Sequence, residues 1–314
     1  MAADAPLVLI GGPTASGKSR LAMMLADLLG GMIINADSMQ VYRNLPILTA
    51  MPSEDALRQQ PHAVYAVLDG AERCSVARWL DLAGKAVATA RANGLVPILT
   101  GGSGLYLAAA RDGISPMPDI PPAVRAEATA MHGELGGAAF RRQLAIHDPQ
   151  LAGRLKDGDS QRLIRGMETW LATSTPLSIW QQQEPVGRLP GQVTAINVMP
   201  PRNQLYERID SRLVMMLEAG VTDEIKRFLA LGLDQSLPLM KALGLRPFAT
   251  WLAGCISRDA ALAAAQQESR RYAKRQMTWF RHRFSANFIE ENIYTAQFSE
   301  SFLRKILSFI RKTP

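Results

Sequence analysis

The chain has 314 residues, of which 47% are hydrophobic and 20% charged, and carries a net charge of +7. That is enough chain for one sizeable core or two smaller ones. No apolar run is long enough to span a bilayer, and the two cysteines, Cys74 and Cys255, lack the spacing of a zinc site or a disulfide framework. The segment Met1–Pro6 has no basic start and leads directly into an apolar run. No signal peptide is therefore expected, and the cytoplasm is the expected compartment.

The apolar run Leu7–Ile10 predicts a first strand, followed by Gly12-Pro13-Thr14-Ala15-Ser16-Gly17-Lys18-Ser19 and a helical pattern from Arg20 to Leu29. Strand, glycine loop and helix are the setting in which G-x-x-x-x-G-K-[ST] cradles phosphate. The glycines let backbone N–H groups curl around phosphate oxygens at the positive end of the helix. Lys18 supplies a cation, and the Ser19 hydroxyl can ligate Mg²⁺. After Gly30-Gly31, Met32–Asn35 predicts a second strand ending in Ala36-Asp37-Ser38. Trp79–Asn93 reads as a helix closed by Gly94, and Val96–Leu99 as a third strand ending in Thr100-Gly101-Gly102-Ser103-Gly104. The alternation predicts an α/β fold, a P-loop NTPase-like parallel sheet flanked by helices. Ligands of such sheets bind at the carboxyl ends of the strands, so the P-loop, Asp37 and Ser103 are expected to converge.

From Ser115 to Pro122 the chain is proline-rich, and residues 123–182 read as several short helices with no clear strand. Gln192–Met199 reads as a return strand, Arg202–Ala219 as a helix on which Arg208 and Arg212 stack, and Ser257–Arg283 as one long helix or two. The organisation expected is a catalytic core over 1–116, an all-helical insertion over 117–199, and the rest of the core over 200–314. The first two segments are charge-balanced, with 9 basic against 9 acidic residues and 8 against 8; the last holds 18 against 11. Six of those cations lie within Arg270–Arg283, beside Tyr272, Trp279 and Phe280. Basic side chains bind phosphates and aromatics stack bases, which points to a polyanionic partner; a solvated helix face with the rings in the core is the alternative.

A P-loop alone predicts nucleotide binding by an ATPase, a GTPase or a small-molecule kinase, which also need an acid at a strand end. The third strand ends without one, leaving Asp37 as a Mg²⁺ ligand, a general base or a helix cap.

Several segments together resemble the bacterial tRNA dimethylallyltransferases, also called tRNA isopentenyltransferases, over nearly the whole length. They are Gly12–Ser19, Asp37-Ser38-Met39-Gln40-Val41-Tyr42-Arg43, Pro61-His62, Gly101–Tyr106, Asp159–Arg165, and Tyr272-Ala273-Lys274-Arg275-Gln276-Met277-Thr278-Trp279-Phe280-Arg281. The resemblance implies transfer of a dimethylallyl group from dimethylallyl diphosphate to the exocyclic amine of the adenosine 3′-adjacent to a tRNA anticodon, with loss of diphosphate and Mg²⁺ as cofactor. It implies Asp37 as base, Ser103 near the reacting amine, Arg212 and Gly12–Ser19 on the diphosphate, and Ser19 on the metal. It implies tRNA contacts from Asp37, Ser38, Met39, Gln40, Ser103 and Arg125, from Gln161, Arg162, Leu163, Ile164 and Arg165, and from Lys241, Gly244, Arg246, Arg270, Lys274 and Arg275. The insertion is then expected to hold the anticodon stem-loop, with no membrane and no obligate protein partner. Met51 stands where the family usually has Lys, Ser103 where it has Thr, and Leu245 where a ring is common. A P-loop kinase of a small metabolite is the alternative; it predicts ATP turnover and has little use for the basic last third.

Overall fold

The computed structural model describes residues 5–292 and 300–312, so most of the Met1–Pro6 segment lies outside the described residues. The first half of the chain runs β1 (Pro6–Gly11), α1 (Lys18–Leu29), β2 (Gly31–Asn35), α2 (Glu54–Gln59), β3 (His62–Ala63), α3 (Val76–Ala92), β4 (Val96–Gly101) and α4 (Gly104–Asp112). Four helices follow: α5 (Pro122–His147), α6 (Pro149–Arg154), α7 (Ser160–Thr173) and α8 (Leu177–Trp180). The rest is β5 (Gln192–Val198), α9 (Arg202–Glu218), α10 (Val221–Leu229), a 3₁₀ turn at Pro238–Lys241, α11 (Leu245–Leu252), α12 (Arg258–Arg283), β6 (Phe288–Glu290) and α13 (Glu300–Lys312).

The strands form one parallel sheet in the order β3-β2-β4-β1-β5-β6. Central strands read as unbroken apolar runs because both faces are covered. Val8, Ile10, Ile33, Ile98 and Ile196 meet Leu21 and Leu25 of α1 and Leu303, Ile306 and Ile310 of α13 in one core cluster. Against β2 and β4 also packs α3, whose buried Trp79 donates its indole N–H to Asn35 O at 2.8 Å. Local signals set the helix ends. Gly30 closes α1 at φ 62, and Ser257 opens α12 by accepting from Ala260 N–H at 3.2 Å. The segment read as one helix or two is the single 26-residue α12.

Two compact units result, 1–111 with 189–314, and 112–188. The boundaries expected at 116/117 and 199/200 thus shift. Residues 192–197 of β5 pair with 6–11 of β1, so the return strand belongs to the sheet. The second unit begins earlier, where Ile114 and Val186 bridge its two ends. Its helices enclose Phe140, Leu144, Leu151, Leu163, Met167 and Leu177. Its first helical stretch, α5, is two helices joined across a kink at the non-helical Gly136 (φ 70), in keeping with the several shorter helices expected there. Buried Asp148 fastens α6 to α8, accepting from Leu151 N–H at 3.0 Å and Ser178 N–H at 2.9 Å.

Candidate active site

The loop between β1 and α1 is built to receive an anion. Gly17 opens α1 at φ 95, with no side-chain cap and no acid in the first turn, so the free N–H groups of that turn face the loop unneutralised. Lys18 Nζ donates to Pro13 O at 3.2 Å. Burial pushes its ammonium down to about 8; Asp37 opposes that shift and Arg212 adds to it.

The loop is held from the far end of the chain. Gln276 of α12 accepts from Thr14 N–H at 2.9 Å and donates to Gly102 O at 2.8 Å, tying the P-loop to the end of β4. This approach requires glycine at two places. A Cβ on Gly102 would lie 2.3 Å from Gln276 Nε2, and one on Gly104 would lie 2.1 Å from the Trp279 ring.

Asp37 follows β2 and is fixed by its own neighbourhood. Its N–H donates to Asn35 Oδ1 at 2.8 Å, and its Oδ1 accepts from Met39 N–H at 2.9 Å. Its Oδ2 lies beside Gly102. Ser103 Oγ accepts from Ser38 N–H at 2.9 Å, joining the ends of β2 and β4 and leaving its own O–H free to donate. Arg212 of α9 donates to Thr14 Oγ1. It is therefore no exposed helix arginine, and its guanidinium is pulled below its ordinary range by burial, with Asp37 opposing.

Two cavities meet here. One, of about 580 Å³, is lined by Thr14–Ser19 together with Tyr65, Thr100, Arg208 and Arg212. The other, of about 230 Å³, has an apolar wall of Leu48, Ile209, Leu213, Met216, Leu243 and Tyr272, with Lys241, Ser269 and Arg275 also on its lining. Thr14, Asp37, Thr49, Ala50 and Arg212 line both. The glycine-loop cavity and a largely apolar chamber therefore share a rim that carries a carboxylate and a guanidinium.

The residues expected on tRNA fall into several settings. Ser38 and Met39 sit beside Asp37 as the turn after β2, with Met39 lining the apolar cavity. Gln40 spends both amide hydrogens on Thr49 O at 2.9 Å and Ala50 O at 2.8 Å. Lys274 and Arg275 line an open groove of about 520 Å³ along α12, with Arg271, Trp279, His282 and Arg283. Arg270, by contrast, is paired with Asp210 at 2.6 Å, binding α12 to α9. Lys241 and Arg246 are exposed on either side of Gly244, whose φ of 81 starts α11. In the helical unit Gln161 and Arg162 are exposed, Ile164 is half-buried, and Arg125 and Arg165 both bind the buried carboxylate of Glu168 at 3.0 and 2.6 Å. Leu163 is fully buried in that unit's core, so its side chain packs helices and offers no surface to an RNA. Met51 lines a third cavity, of about 440 Å³, with Arg20 and His62.

Sequence reasoning missed Gln276, Tyr65, Thr100 and Arg208. Arg208 had a signal in its spacing of four from Arg212, Gln276 in the motif that contains it and Thr100 in its place at a strand end; Tyr65 had none. Burial beside Asp37 lifts the Tyr65 phenol well above its ordinary range. Thr100 Oγ1 is buried without a hydrogen-bond partner on the phosphate cavity that Ser19 also lines. Among the described residues no three His, Cys, Asp or Glu side chains gather as a metal cage. Two hydroxyls at a phosphate site nevertheless fit Mg²⁺, which takes few protein oxygens and completes its shell with substrate phosphates and water.

A protein-family profile described as IPP transferase matches residues 40–283. The tRNA dimethylallyltransferase of Paramagnetospirillum magneticum is 47% identical over 307 residues, covering 98% of this chain and 96% of that one. That of Rhodospirillum rubrum is 46% identical over 309 residues, covering 98% and 94%. The crystal structure of the full-length tRNA isopentenylpyrophosphate transferase of Bacillus halodurans superposes with a TM-score of 0.66 at 30% identity, over 98% of this chain and 95% of that one. A eukaryotic dimethylallyltransferase acting on tRNA shares the fold, with a TM-score of 0.83 at 22% identity over 99% and 81%.

Proposed function

This chain belongs to the IPP transferase family, and from that premise we infer that it is a prenyltransferase that modifies tRNA by transferring a dimethylallyl group. The observation that carries the reading is the shared rim of the two cavities, lined by Thr14, Asp37 and Arg212. Dimethylallyl diphosphate has the same two-part shape. Its diphosphate suits the P-loop, and its five-carbon chain suits the apolar chamber, whose 230 Å³ exceeds the roughly 150 Å³ that accommodates a six-carbon ring. The carbon that joins the two parts then lies beside Asp37.

The acceptor is the exocyclic amine of the adenosine 3′-adjacent to the anticodon. That nitrogen forms a bond to the first carbon of the prenyl chain as the carbon–oxygen bond breaks, and the electron pair leaves on diphosphate. The amine is a poor nucleophile because its lone pair is delocalised into the ring. Asp37 accepts its proton as the bond forms, and Ser103 is placed to steady the amine. Lys18, Arg212 and the N–H groups of α1 offset the charge growing on the leaving oxygen. Ser19 and Thr100 would hold Mg²⁺, which supplies further neutralisation of the diphosphate when bound.

A target in an anticodon loop can be extruded without melting duplex. The groove of α12 offers cations and a ring to the RNA, and exposed Gln161 and Arg162 of the helical unit offer polar contacts to its stem-loop. No protein partner enters this reading, and among the described residues no helix is long and apolar enough to cross a membrane. The cytoplasm, where tRNA is found, is the compartment of this reading.

The test is incubation with Mg²⁺, dimethylallyl diphosphate and unmodified tRNA, followed by nucleoside mass spectrometry. A dimethylallyl mass gain on adenosine is expected. No gain, together with ATP turnover in a parallel assay, would replace this reading with the kinase one.

A further inference from the structure

The wall between the two cavities is an irregular turn, Leu45–Met51, contributing Leu48, Thr49 and Ala50 to the apolar chamber and Thr49 and Ala50 to the phosphate cavity. Neither sheet nor helix holds it. Its internal hydrogen bonds run from Thr49 N–H to Leu45 O, Ala50 N–H to Ile47 O and Met51 N–H to Pro46 O. Ala50 sits at φ 54, a left-handed conformation that a residue with a Cβ adopts only under outside constraint.

Two side chains supply that constraint from opposite ends. Gln40 clamps the carbonyls of Thr49 and Ala50, as described above. Glu224 of α10 clamps the amides: Oε1 accepts from Ile47 N–H at 2.6 Å and Oε2 from Leu48 N–H at 2.9 Å. Glu224 is only 3% exposed. A carboxylate is costly to bury, and an apolar side chain would anchor α10 more cheaply if packing were the whole purpose. What the carboxylate adds is geometry, since two oxygens fix two successive N–H groups and with them the direction of the Leu48 side chain. Leu48, Ile209, Leu213 and Met216 line the same chamber.

We propose that Glu224 is a positioning residue for the prenyl donor. By pinning Ile47 and Leu48 it fixes the chamber wall, and so sets how long a hydrocarbon chain the enzyme accepts. The proposal rests on the reading of that chamber as the place of the donor's chain. Glu224 touches no reacting atom; it acts through Leu48.

The experiment is steady-state kinetics on tRNA with dimethylallyl diphosphate and with the ten-carbon geranyl diphosphate, for the unaltered chain and for Glu224→Ala, Glu224→Gln and Leu48→Ala. Loss of two charge-assisted hydrogen bonds in Glu224→Ala should raise the donor KM about tenfold while the tRNA KM stays within about twofold. The preference should shift toward the longer donor, and Leu48→Ala should reproduce that shift with Glu224 in place. Glu224→Gln, which keeps one acceptor oxygen, should fall between. Parallel rises in both KM values with unchanged donor preference would mean a merely structural role and overturn the assignment. If Glu224→Ala yields no folded protein, Glu224→Gln decides: donor KM and preference equal to the unaltered chain overturn it. An unaltered chain that turns over no prenyl donor would sink the functional reading itself, a distinct failure.

Discussion

Gln276 and Thr14 are separated by 262 positions in the sequence and by a 2.9 Å hydrogen bond in space. The same amide reaches Gly102 O at 2.8 Å, so one buried side chain of α12 fixes both the phosphate loop and the end of β4. Replacing it by leucine keeps the volume but leaves a buried N–H and C=O without their partner. Gln276→Leu should lower stability by about 2–6 kcal/mol, at roughly 1–3 kcal/mol for each of the two orphaned groups, and weaken diphosphate binding with it. Urea unfolding and titration with diphosphate check this. Stability unchanged within error would mean that the bridge is dispensable.

Removing the carboxylate at the rim should separate chemistry from binding. Asp37→Asn should lower kcat by about 10²- to 10⁴-fold, the range of a general base. Binding of tRNA should persist and the donor should bind no more weakly, since a negative charge near the diphosphate is lost. Single-turnover assays beside filter binding would show it. Undiminished turnover removes Asp37 from the proton transfer.

Lys18 makes donor binding pH-dependent in a defined direction. Its ammonium titrates near 8 in the free protein because burial disfavours the charge. Diphosphate favours the charged form and raises that value. Below about pH 8 the lysine is already protonated and affinity should be flat; above it, binding must take up a proton, and affinity should fall by up to about tenfold per pH unit. The same depression means that, between about 8 and the ordinary lysine value of about 10.4, the unfolded chain binds more protons than the folded one, so stability should rise with pH there. Calorimetric titration with diphosphate in buffers of different ionisation enthalpy reports the proton. In Lys18→Met both dependences should vanish; their persistence would assign them to another group.

The α12 groove predicts a salt signature. If Arg271, Lys274 and Arg275 each neutralise a phosphate, the triple alanine variant should reduce the slope of log affinity for tRNA against log salt by about 2–3. Its deficit should therefore be largest at low salt. An unchanged slope would place that face away from the RNA.

Much of this site was legible in the chain. The phosphate loop is a contiguous pattern whose glycines, lysine and serine act through local backbone geometry, and Asp37 and Ser103 end apolar runs that period alone marks as parallel strands. The insertion was visible as a change from strand–helix alternation to helices. Its C-terminal boundary moved because residues 192–197 join the sheet by a ladder with 6–11, far away in sequence. A helical period over Arg202–Ala219 puts Leu205, Ile209, Leu213, Met216 and Leu217 on one face, without telling which of them fill the core and which line a chamber. Only the packed structure distinguishes a wall from a core, because both are apolar. The same holds for Gln276 and Glu224, polar residues whose partners lie on other elements, and for Thr100, whose unpartnered hydroxyl matters only because the fold turns it into the cavity. Sequence by itself determined the chemistry that local backbone and side-chain order can encode, namely where an anion would sit and which carboxylate stands near it. Tertiary structure decided the shape around that chemistry, because cavities and buried hydrogen bonds exist only between segments that the fold has brought together.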